Sequence, residues 1–355
     1  MLRLEPRSTQ SFAAAWLSPL MALVLTVITG GVIFLAMGKD PSTALYIYFV
    51  EPLTTTSGLS EVAVKAGPLI LIGIGLSFGF RAGIWNIGAE GQYIAGAIAG
   101  GGLAVYFYES ESTLLLPAML VLGTLGGMAW AAVPALLKTR FNANGILVSL
   151  MLVYVAELLL VHLVQGPWRN PQGWGFPGTR LFPDAATMPL LFSGKRVHLG
   201  TLITLAVPFI AWFILARTRF GFIVRVFGSA PLAARHAGVH GHRMIWQSLL
   251  IGGGLAGLAG VIEATGTIGQ LVPNISPGYG FTAIIVAFLG RLHPLGVLLA
   301  GIAIAVTYIG GEGAQISAGL PKAVTSLFQG IILFYLLAFD LFTRYRIIVS
   351  SRATE

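Results

Sequence analysis

Four polar side chains lie close together in a stretch of sequence that is otherwise hydrophobic. The segment 79–100 reads GFRAGIWNIGAEGQYIAGAIAG and contains Arg81, Asn86, Glu90 and Gln92. A charged or amide side chain inside a membrane costs free energy unless it lines a cavity or meets a partner, so such residues are candidates for a functional site. The alternative is a helix-packing face of small residues, in which a neighbouring helix satisfies Glu90.

Glycines interrupt the helix that these polar residues would share. Gly79, Gly83, Gly88 and Gly91 occur among them, and glycine weakens a helix interior through its conformational freedom. Broken, glycine-rich membrane segments are where transporters place binding sites. The pattern therefore predicts a helix break beside a binding site.

The sequence of this break is partly repeated in the second half of the chain. IGAEG at 87–91 recurs as IGGEG at 309–313, and GFRA at 79–82 recurs as GFTA at 280–283. Interrupted segments in corresponding halves indicate a site between structural repeats. Chance similarity in a chain with 46 glycines is the alternative.

The composition is that of an integral membrane protein. Of the 355 residues, 56% are hydrophobic and 10% are charged, whereas a soluble domain has about 25% charged residues. The absence of cysteine excludes disulfides, thiol catalysis and cysteine metal sites. The net charge of +8 is better explained by basic cytoplasmic loops than by binding to nucleic acid.

Several segments have the length of about 20 apolar residues that a membrane crossing requires. They are 18–37, 60–80, 84–107, 114–137, 144–165, 198–216, 244–264, 294–311 and 322–342. No cleavage site obviously follows the first, which we interpret as an anchor and not a signal peptide. Segment 279–290 is too short to cross alone and follows the turn-rich GTIGQLVPNISPGYG, which predicts a broken or re-entrant element.

The expected fold is an all-α polytopic membrane protein of about 8–10 transmembrane helices. We treat 1–355 as a single transmembrane domain with both termini in the cytoplasm, because this places most of the 21 lysines and arginines inside. The loop 166–197 is then external. It is basic, but long loops follow the positive-inside rule poorly.

The longest cytoplasmic loop in this topology is 217–243. Its alanine-rich stretch 230–237 predicts a short helix, with Ser229 as N-cap, Pro231 in the first turn and Gly238 at the end. A partner protein could hold such an exposed helix. The alternative is a basic segment that contacts anionic lipid headgroups.

Several other motifs are absent or weak. No G-x-x-x-x-G-K-[ST] sequence occurs, so this chain has no phosphate-binding loop of its own and we expect no catalytic residues in it. His236, His240 and His242 have no local carboxylate, so we expect a solvated loop face and no metal site.

Four longer matches carry a family resemblance. They are the break GFRAGIWNIGAEGQYIAGAIAG, the loop sequence VFGSAPLAARHAGVH, GYGFTAIIVAFLGRLHPLGVLLAG, and QGIILFYLLAFDLF near the C-terminus. In this order, from about residue 60 to 343, they resemble the permease of bacterial ABC importers in the branched-chain amino acid and simple-sugar superfamily, nearest to its nucleoside or simple-sugar branch. Two departures concern the solute: Asn142-Ala143-Asn144 lacks a carboxylate that relatives often carry, and Ser229-Ala230-Pro231 replaces an Asn-Pro pair.

The resemblance implies a permease in the bacterial inner membrane that imports a nucleoside or simple sugar. It implies a second permease as partner, with a paralogue favoured over a second copy. It also implies cytoplasmic ATPase subunits that bind the ATP and an extracytoplasmic substrate-binding protein. Membrane lipid is a further partner, and no cofactor is expected in this chain.

The resemblance also assigns roles to residues. The residues expected to line or border the solute path are Trp85, Asn86, Glu90 and Gln92, with Phe281 and Glu312 from the other half of the chain. Glu90 has a second interpretation, in which it holds the broken helix in place by accepting hydrogen bonds. The residues expected in contact with the ATPase are Arg225, Ala233, Ala234, Arg235 and Gly238.

Two other functions fit the composition. An ion-coupled secondary transporter would need a carboxylate pathway, which Glu90, Glu157, Glu263 and Asp340 could supply. A channel or scaffold would use the polar residues only to line a pore or to bind helices. The loop sequence at 226–240 favours the ABC permease over the secondary transporter.

Overall fold

The computed structural model describes residues 2–6 and 12–349, and most of them are helical. The helices are α1 (Phe12–Ala36), α2 (Pro41–Leu45), α3 (Glu51–Thr54), α4 (Thr56–Arg81), α5 (Ala89–Tyr106), α6 (Leu115–Phe141), α7 (Gly145–Gln165), α8 (Leu199–Arg217), α9 (Arg219–Ser229), α10 (Pro231–His236), α11 (Gly241–Ile262), α12 (Tyr279–Leu289), α13 (Pro294–Ala318) and α14 (Ala323–Arg344). Two π-helical turns, Tyr46–Val50 and Glu263–Ile268, follow α2 and α11.

One pair of strands departs from the expected all-helical fold. Strand β1 (Leu2–Pro6) pairs in antiparallel register with β2 (Tyr345–Val349). Neither segment has the alternating pattern over enough residues to predict a strand, and the pairing joins the two ends of the described chain. The expectation of a predominantly helical, multi-pass membrane protein is confirmed.

Six helices in the described part of the chain are long and apolar enough to cross a membrane. They are α4, α6, α7, α8, α11 with its π-helical turn, and α13. The prediction that 279–290 cannot cross alone is confirmed, because α12 has 11 residues and reaches only about 16 Å against a hydrocarbon core of about 30 Å. The prediction of a helix over 84–107 is wrong at its start, since α5 begins at Ala89.

The described residues form two compact units, whose boundaries fall within α4 and α13. The central unit comprises residues 60–305, and the terminal unit comprises residues up to 59 and from 306. In the terminal unit, α1 packs on α14 around an aromatic cluster. The Phe328 ring lies 5.5 Å from that of Phe34 and 4.7 Å from that of Tyr48.

In the central unit, α4 is the innermost span, with 89% of its apolar window buried. Around it, α5, α6 and α11 pack closely at small residues. A Cβ atom at Gly96 would overlap the backbone of Gly257 on α11, and one at Gly127 on α6 would overlap Gly253. Small residues allow this close approach, which is how membrane helices gain contact in the absence of a hydrophobic drive between them.

Candidate functional site

The break between α4 and α5 is built by the backbone of Gly83. This residue has a left-handed φ of +71°, and the amides of Gly83 and Ile84 donate to the carbonyls of Phe80 (3.1 Å) and Gly79 (2.8 Å). These are the two hydrogen bonds of a Schellman helix end, which favours glycine at the left-handed position. The chain then runs without helix to Gly88, as the sequence predicts.

Asn86 and Gln92 close the break with a reciprocal pair of amide hydrogen bonds. Asn86 Nδ2 donates to Gln92 Oε1 at 2.9 Å, and Gln92 Nε2 donates to Asn86 Oδ1 at 3.1 Å. The amide of Gly88 also donates to Asn86 Oδ1. Both side chains are buried, with 3% and 1% exposed, so their polar atoms hold the shape of the break.

Glu90 joins the break to the second half of the central unit. Its carboxylate, 2% exposed, accepts a hydrogen bond from the amide of Gly280, with the Ser276 hydroxyl and the Gly278 amide as further donors close by. These donors surround the N-terminus of α12, where amides lack partners within the helix and a negative charge is favoured. A Cβ atom at Gly280 would overlap the backbone of Glu90, so glycine is required there.

Two aromatic side chains at the site remain accessible. Trp85 is 47% exposed, and Phe281, next to Gly280 on α12, is 40% exposed. The Trp85 ring lies 5.0 Å from that of Phe80 and 5.9 Å from that of Phe288. Trp85 therefore presents a face that is held by aromatic contacts.

Trp85 also lines a pocket of about 310 Å³ at the end of α4. Lys138, Asn144 and Phe227 contribute to the same wall. The pocket thus joins the helix break to α9, which carries Phe227. Its volume lies at the lower end of the range that binds small molecules, about 300–1,000 Å³.

Glu312 belongs to the terminal unit, whereas the other residues expected along the path belong to the central unit. The structure therefore brings together Trp85, Asn86, Glu90 and Gln92 and sets Phe281 beside them. It describes Glu312 separately, as an exposed side chain of α13.

From the sequence, Glu263 is named only as one of the carboxylates that a secondary transporter could use. In the structure it opens the π-helical turn after α11, is 5% exposed, and accepts hydrogen bonds from Thr267 at 3.2 Å and from Tyr279. Lys65 and Arg196 are the cations near it. A buried carboxylate on a π-helical turn is typical of functional sites, and its occurrence in an apolar span was the sequence signal.

Glu157 and Asp340 are the other carboxylates that a secondary transporter could use. Among the described residues they do not form a continuous carboxylate pathway with Glu90 and Glu263. Glu157, on α7, lies near enough to Glu90 for their charges to interact. The side chain of Asp340 lies outside the described residues. No group of three or more His, Cys, Asp or Glu side chains that could hold a metal ion occurs among the residues that the structure describes.

The predicted helix of the cytoplasmic loop is present as α10. Ser229 as its N-cap is wrong: Ala230 takes that position, and the Ser229 hydroxyl donates instead to the carbonyl of Arg225 at 3.0 Å. This back-bond keeps Ser229 in α9. The prediction of Gly238 as the end is confirmed, since it has a φ of +84° and its amide donates to the carbonyl of Arg235.

The residues expected to contact the ATPase differ in exposure. Ala234 is fully buried within the chain, so it fixes α10 in place and offers no surface. Ala233, Arg235 and Gly238 are exposed, and Leu232 beside them is 70% exposed. Arg235 and Gly238 also line an open pocket of about 500 Å³.

A close contact connects α9 to the helix break. A Cβ atom at Gly228 would overlap the carbonyl oxygen of Arg81, the last residue of α4. The Arg81 guanidinium donates to the carbonyl of Leu292 at 2.9 Å. Burial and the charge of Arg81 lower the pKa of the neighbouring His293.

Comparison with known proteins gives the family. The profile described as "Branched-chain amino acid transport system / permease component" matches residues 58–337. The glucose ABC transporter permease protein TsgB13 of Haloferax volcanii is 37% identical over 98% of this chain and 93% of its own length. The guanosine ABC transporter permease proteins NupP and NupQ of Bacillus subtilis are 29% and 30% identical, over 90% and 66% of this chain and 92% and 75% of their own lengths. These matches and the apolar helices confirm the resemblance: the chain is a multi-pass membrane protein of the branched-chain amino acid transport system permease family.

Proposed function

We propose that this chain is the membrane-spanning permease subunit of an ABC importer that moves a nucleoside or a simple sugar inward across the cell membrane. The observation that carries the proposal is the similarity over nearly the whole chain to permeases named for glucose and guanosine. Both solutes combine a ring face with several hydroxyls, so a site with an aromatic face and hydrogen-bonding groups suits either one.

The solute contacts Trp85 and Phe281, because these are the accessible aromatic side chains at the break. Lys138 and Asn144 stand in the same pocket wall as Trp85 and supply polar groups. Asn86, Glu90 and Gln92 border the path without facing it, since their polar atoms are engaged within the chain. Glu312 serves the equivalent position in the second half, an assignment supported by the repeated IG-x-EG sequence.

We call α9 and α10, residues 219–236, the coupling segment. It transmits movement of the ATPase to the solute pocket in three steps. The exposed side of α10, with Leu232, Ala233 and Arg235, docks into the ATPase subunit, and buried Ala234 ties α10 to the rest of the chain. Next, α9 carries the displacement to the end of α4, where Gly228 lies against Arg81.

The third step reaches the solute pocket. Arg81 stands two residues before Gly83, the left-handed residue at which α4 ends. A shift at Arg81 therefore moves the segment that carries Trp85, while Phe227, which lines the same pocket, moves with α9. Arg225, one turn before Gly228 on α9, supplies a positive charge to the docking surface. This route would change the pocket when ATP binds or leaves.

The partners supply what this chain lacks. No phosphate-binding loop occurs in its sequence, so the ATP is bound and hydrolysed by separate cytoplasmic subunits and this chain needs no cofactor. A second, non-identical permease completes the path, which is supported by the pair NupP and NupQ from one organism. A binding protein delivers the solute outside, and the lipid bilayer surrounds the complex.

Co-purification followed by transport tests this proposal. The full chain, tagged at its C-terminus and isolated from its own organism, should carry along a second permease and an ATPase. Vesicles that contain this complex and internal ATP should accumulate labelled guanosine or glucose when the binding protein is added. Saturable uptake by the chain alone, without ATP and driven by a proton gradient, would support the ion-coupled transporter instead.

A further inference from the structure

An open apolar groove of about 650 Å³ lies on the central unit. Its walls come from α4, α6, α8 and α11, and Phe220 at the start of α9 closes one end. Phe78 of α4 stacks on Phe220 with ring centroids 6.2 Å apart. Ile210, on the rim, is 56% exposed, so the groove opens sideways from the helices.

Water is a poor occupant for this groove. A buried water needs about two to four hydrogen-bond partners, and the polar side chains of the lining are those of Thr124 and Gln247. The Thr124 hydroxyl already donates to the carbonyl of Leu120 at 2.8 Å. A volume of this size would therefore be filled by hydrocarbon in preference to water.

The groove lies within candidate membrane spans, where lipid acyl chains are the available hydrocarbon. Its lining on α8 lies between Val207 and Ile214, and its lining on α11 lies between Gln247 and Leu255, all inside candidate membrane spans. At a rise of about 1.5 Å per residue, these walls run for roughly 10 Å along each helix. The groove is therefore elongated along the spans, in the direction of a lipid acyl chain.

Positive charge stands at one end of the groove. Ile214 and Phe220 both line it, and the turn between them carries Arg217 and Arg219, both exposed. Within the described residues, neither arginine has an ion-pair partner, and the sequence has no acidic residue between Asp184 and Glu263. An anion is thus the complementary group at this end.

We propose that this groove binds one acyl chain of an anionic phospholipid, whose phosphate contacts Arg217 and Arg219. The apolar walls hold the chain, and the two guanidinium groups select the headgroup, since each basic residue near a membrane surface favours anionic lipid. The site borders α8 and α9, so a bound lipid would brace the start of the coupling segment. It does not depend on which solute the protein moves.

Native mass spectrometry of the purified full chain tests the site. The protein is titrated with phosphatidylglycerol and with phosphatidylcholine that carry the same palmitoyl and oleoyl chains. We expect the first phosphatidylglycerol to bind at least about 10-fold more tightly than phosphatidylcholine. Equal affinities for the two lipids would overturn the proposal.

Two matched pairs of variants locate the binding. Ile210→Trp should block the groove and weaken phosphatidylglycerol binding about 10-fold, whereas Leu205→Trp, an equally large change on exposed α8 surface outside the groove, should leave it unchanged. Arg217→Gln with Arg219→Gln should remove the headgroup preference, about 30-fold for two charges. Lys138→Gln with Arg140→Gln, at the end of α6, should preserve it.

Other outcomes identify other occupants. If Ile210→Trp changes the oligomeric mass and leaves lipid binding as it was, the groove is a protein interface and the proposal fails. If both tryptophan variants weaken binding equally, the lipid is a general boundary lipid and the groove is not its site.

Discussion

At the scale of single residues, Glu90 connects segments that are 190 residues apart in the sequence. Its carboxylate satisfies amides at the start of α12 that no helix neighbour can reach. This contact accounts for a charged residue in an apolar stretch without any role in chemistry. It also fixes the helix break against α12, so a structural role of Glu90 is compatible with its proposed role beside the solute path.

Replacing Glu90 tests this contact. Glu90→Ala leaves the buried amide of Gly280 without its acceptor, so the free energy of unfolding should fall by about 2 kcal/mol or more. Glu90→Gln keeps one acceptor oxygen, so its free energy of unfolding should fall by less. Unfolding of the purified chain in detergent measures both. Glu61→Ala, which breaks the partly exposed pair with Arg196 at 3.0 Å, is the control and should cost less than about 1 kcal/mol. Equal losses of unfolding free energy in Glu90→Ala and Glu61→Ala would contradict the role of Glu90 as an acceptor at the start of α12.

Trp85 should contribute to solute binding through its exposed ring. Trp85→Ala removes that face, so the KM for labelled guanosine or glucose in the reconstituted complex should rise about 10-fold. Trp85→Phe keeps a smaller ring and should retain most of the affinity. Trp174→Ala, in the external loop and 97% exposed, is the matched control. A Trp85→Ala complex with an unchanged KM would remove Trp85 from the path.

The sequence was sufficient to select these residues but not their partners. Polar side chains in an apolar stretch mark Asn86, Glu90 and Gln92 because burying them carries a cost that has to be offset somewhere. Which groups offset that cost depends on how distant helices pack. The amide pair lies within six residues, whereas the acceptor role of Glu90 requires α12 to stand against α5, which no local pattern encodes.

At the scale of elements, the sequence predicted helix ends correctly where a glycine with a left-handed backbone conformation ends the helix. Gly83 and Gly238 end helices because each adopts a left-handed conformation. The start of α10 was predicted one residue too early, since Ser229 bonds back into α9 and leaves Ala230 at the cap. The π-helical turn at Glu263 was not predicted, because its sequence EATGTI has no pattern that distinguishes a π-helical turn from the end of an α-helix.

Contact between α9 and α4 should be necessary for energy coupling. Gly228→Ala adds a methyl group where the Arg81 carbonyl lies, so α9 must move away from the end of α4. In the reconstituted complex we expect ATP hydrolysis to continue and solute uptake per ATP to fall several-fold. Gly330→Ala, on α14 with open space around it, should leave this ratio unchanged. An unaltered ratio in a folded Gly228→Ala complex would exclude this route.

At the scale of the whole molecule, the chain is a multi-pass membrane protein of an ABC permease family. Six helices within the described residues are candidate spans, and α4 is the most buried of them. The coupling segment presents Leu232 and Arg235 outward on a short helix. The proposed coupling function requires another subunit to hold this surface. The orientation with both termini inside remains a prediction from the distribution of basic residues.

The composition of the complex is the corresponding prediction. We expect one copy of this chain with one copy of a different permease, because the two guanosine relatives from Bacillus subtilis are distinct proteins that both match this sequence. Alternating access needs two bundles that rock against each other, and a paralogue supplies the second. Co-expression of two differently tagged copies with the native partners measures this: purification through one tag should recover the paralogue and the ATPase but not the second tag. Recovery of both tags at equal amounts would establish a homodimer, and the solute path would then be symmetric about the Glu90 region.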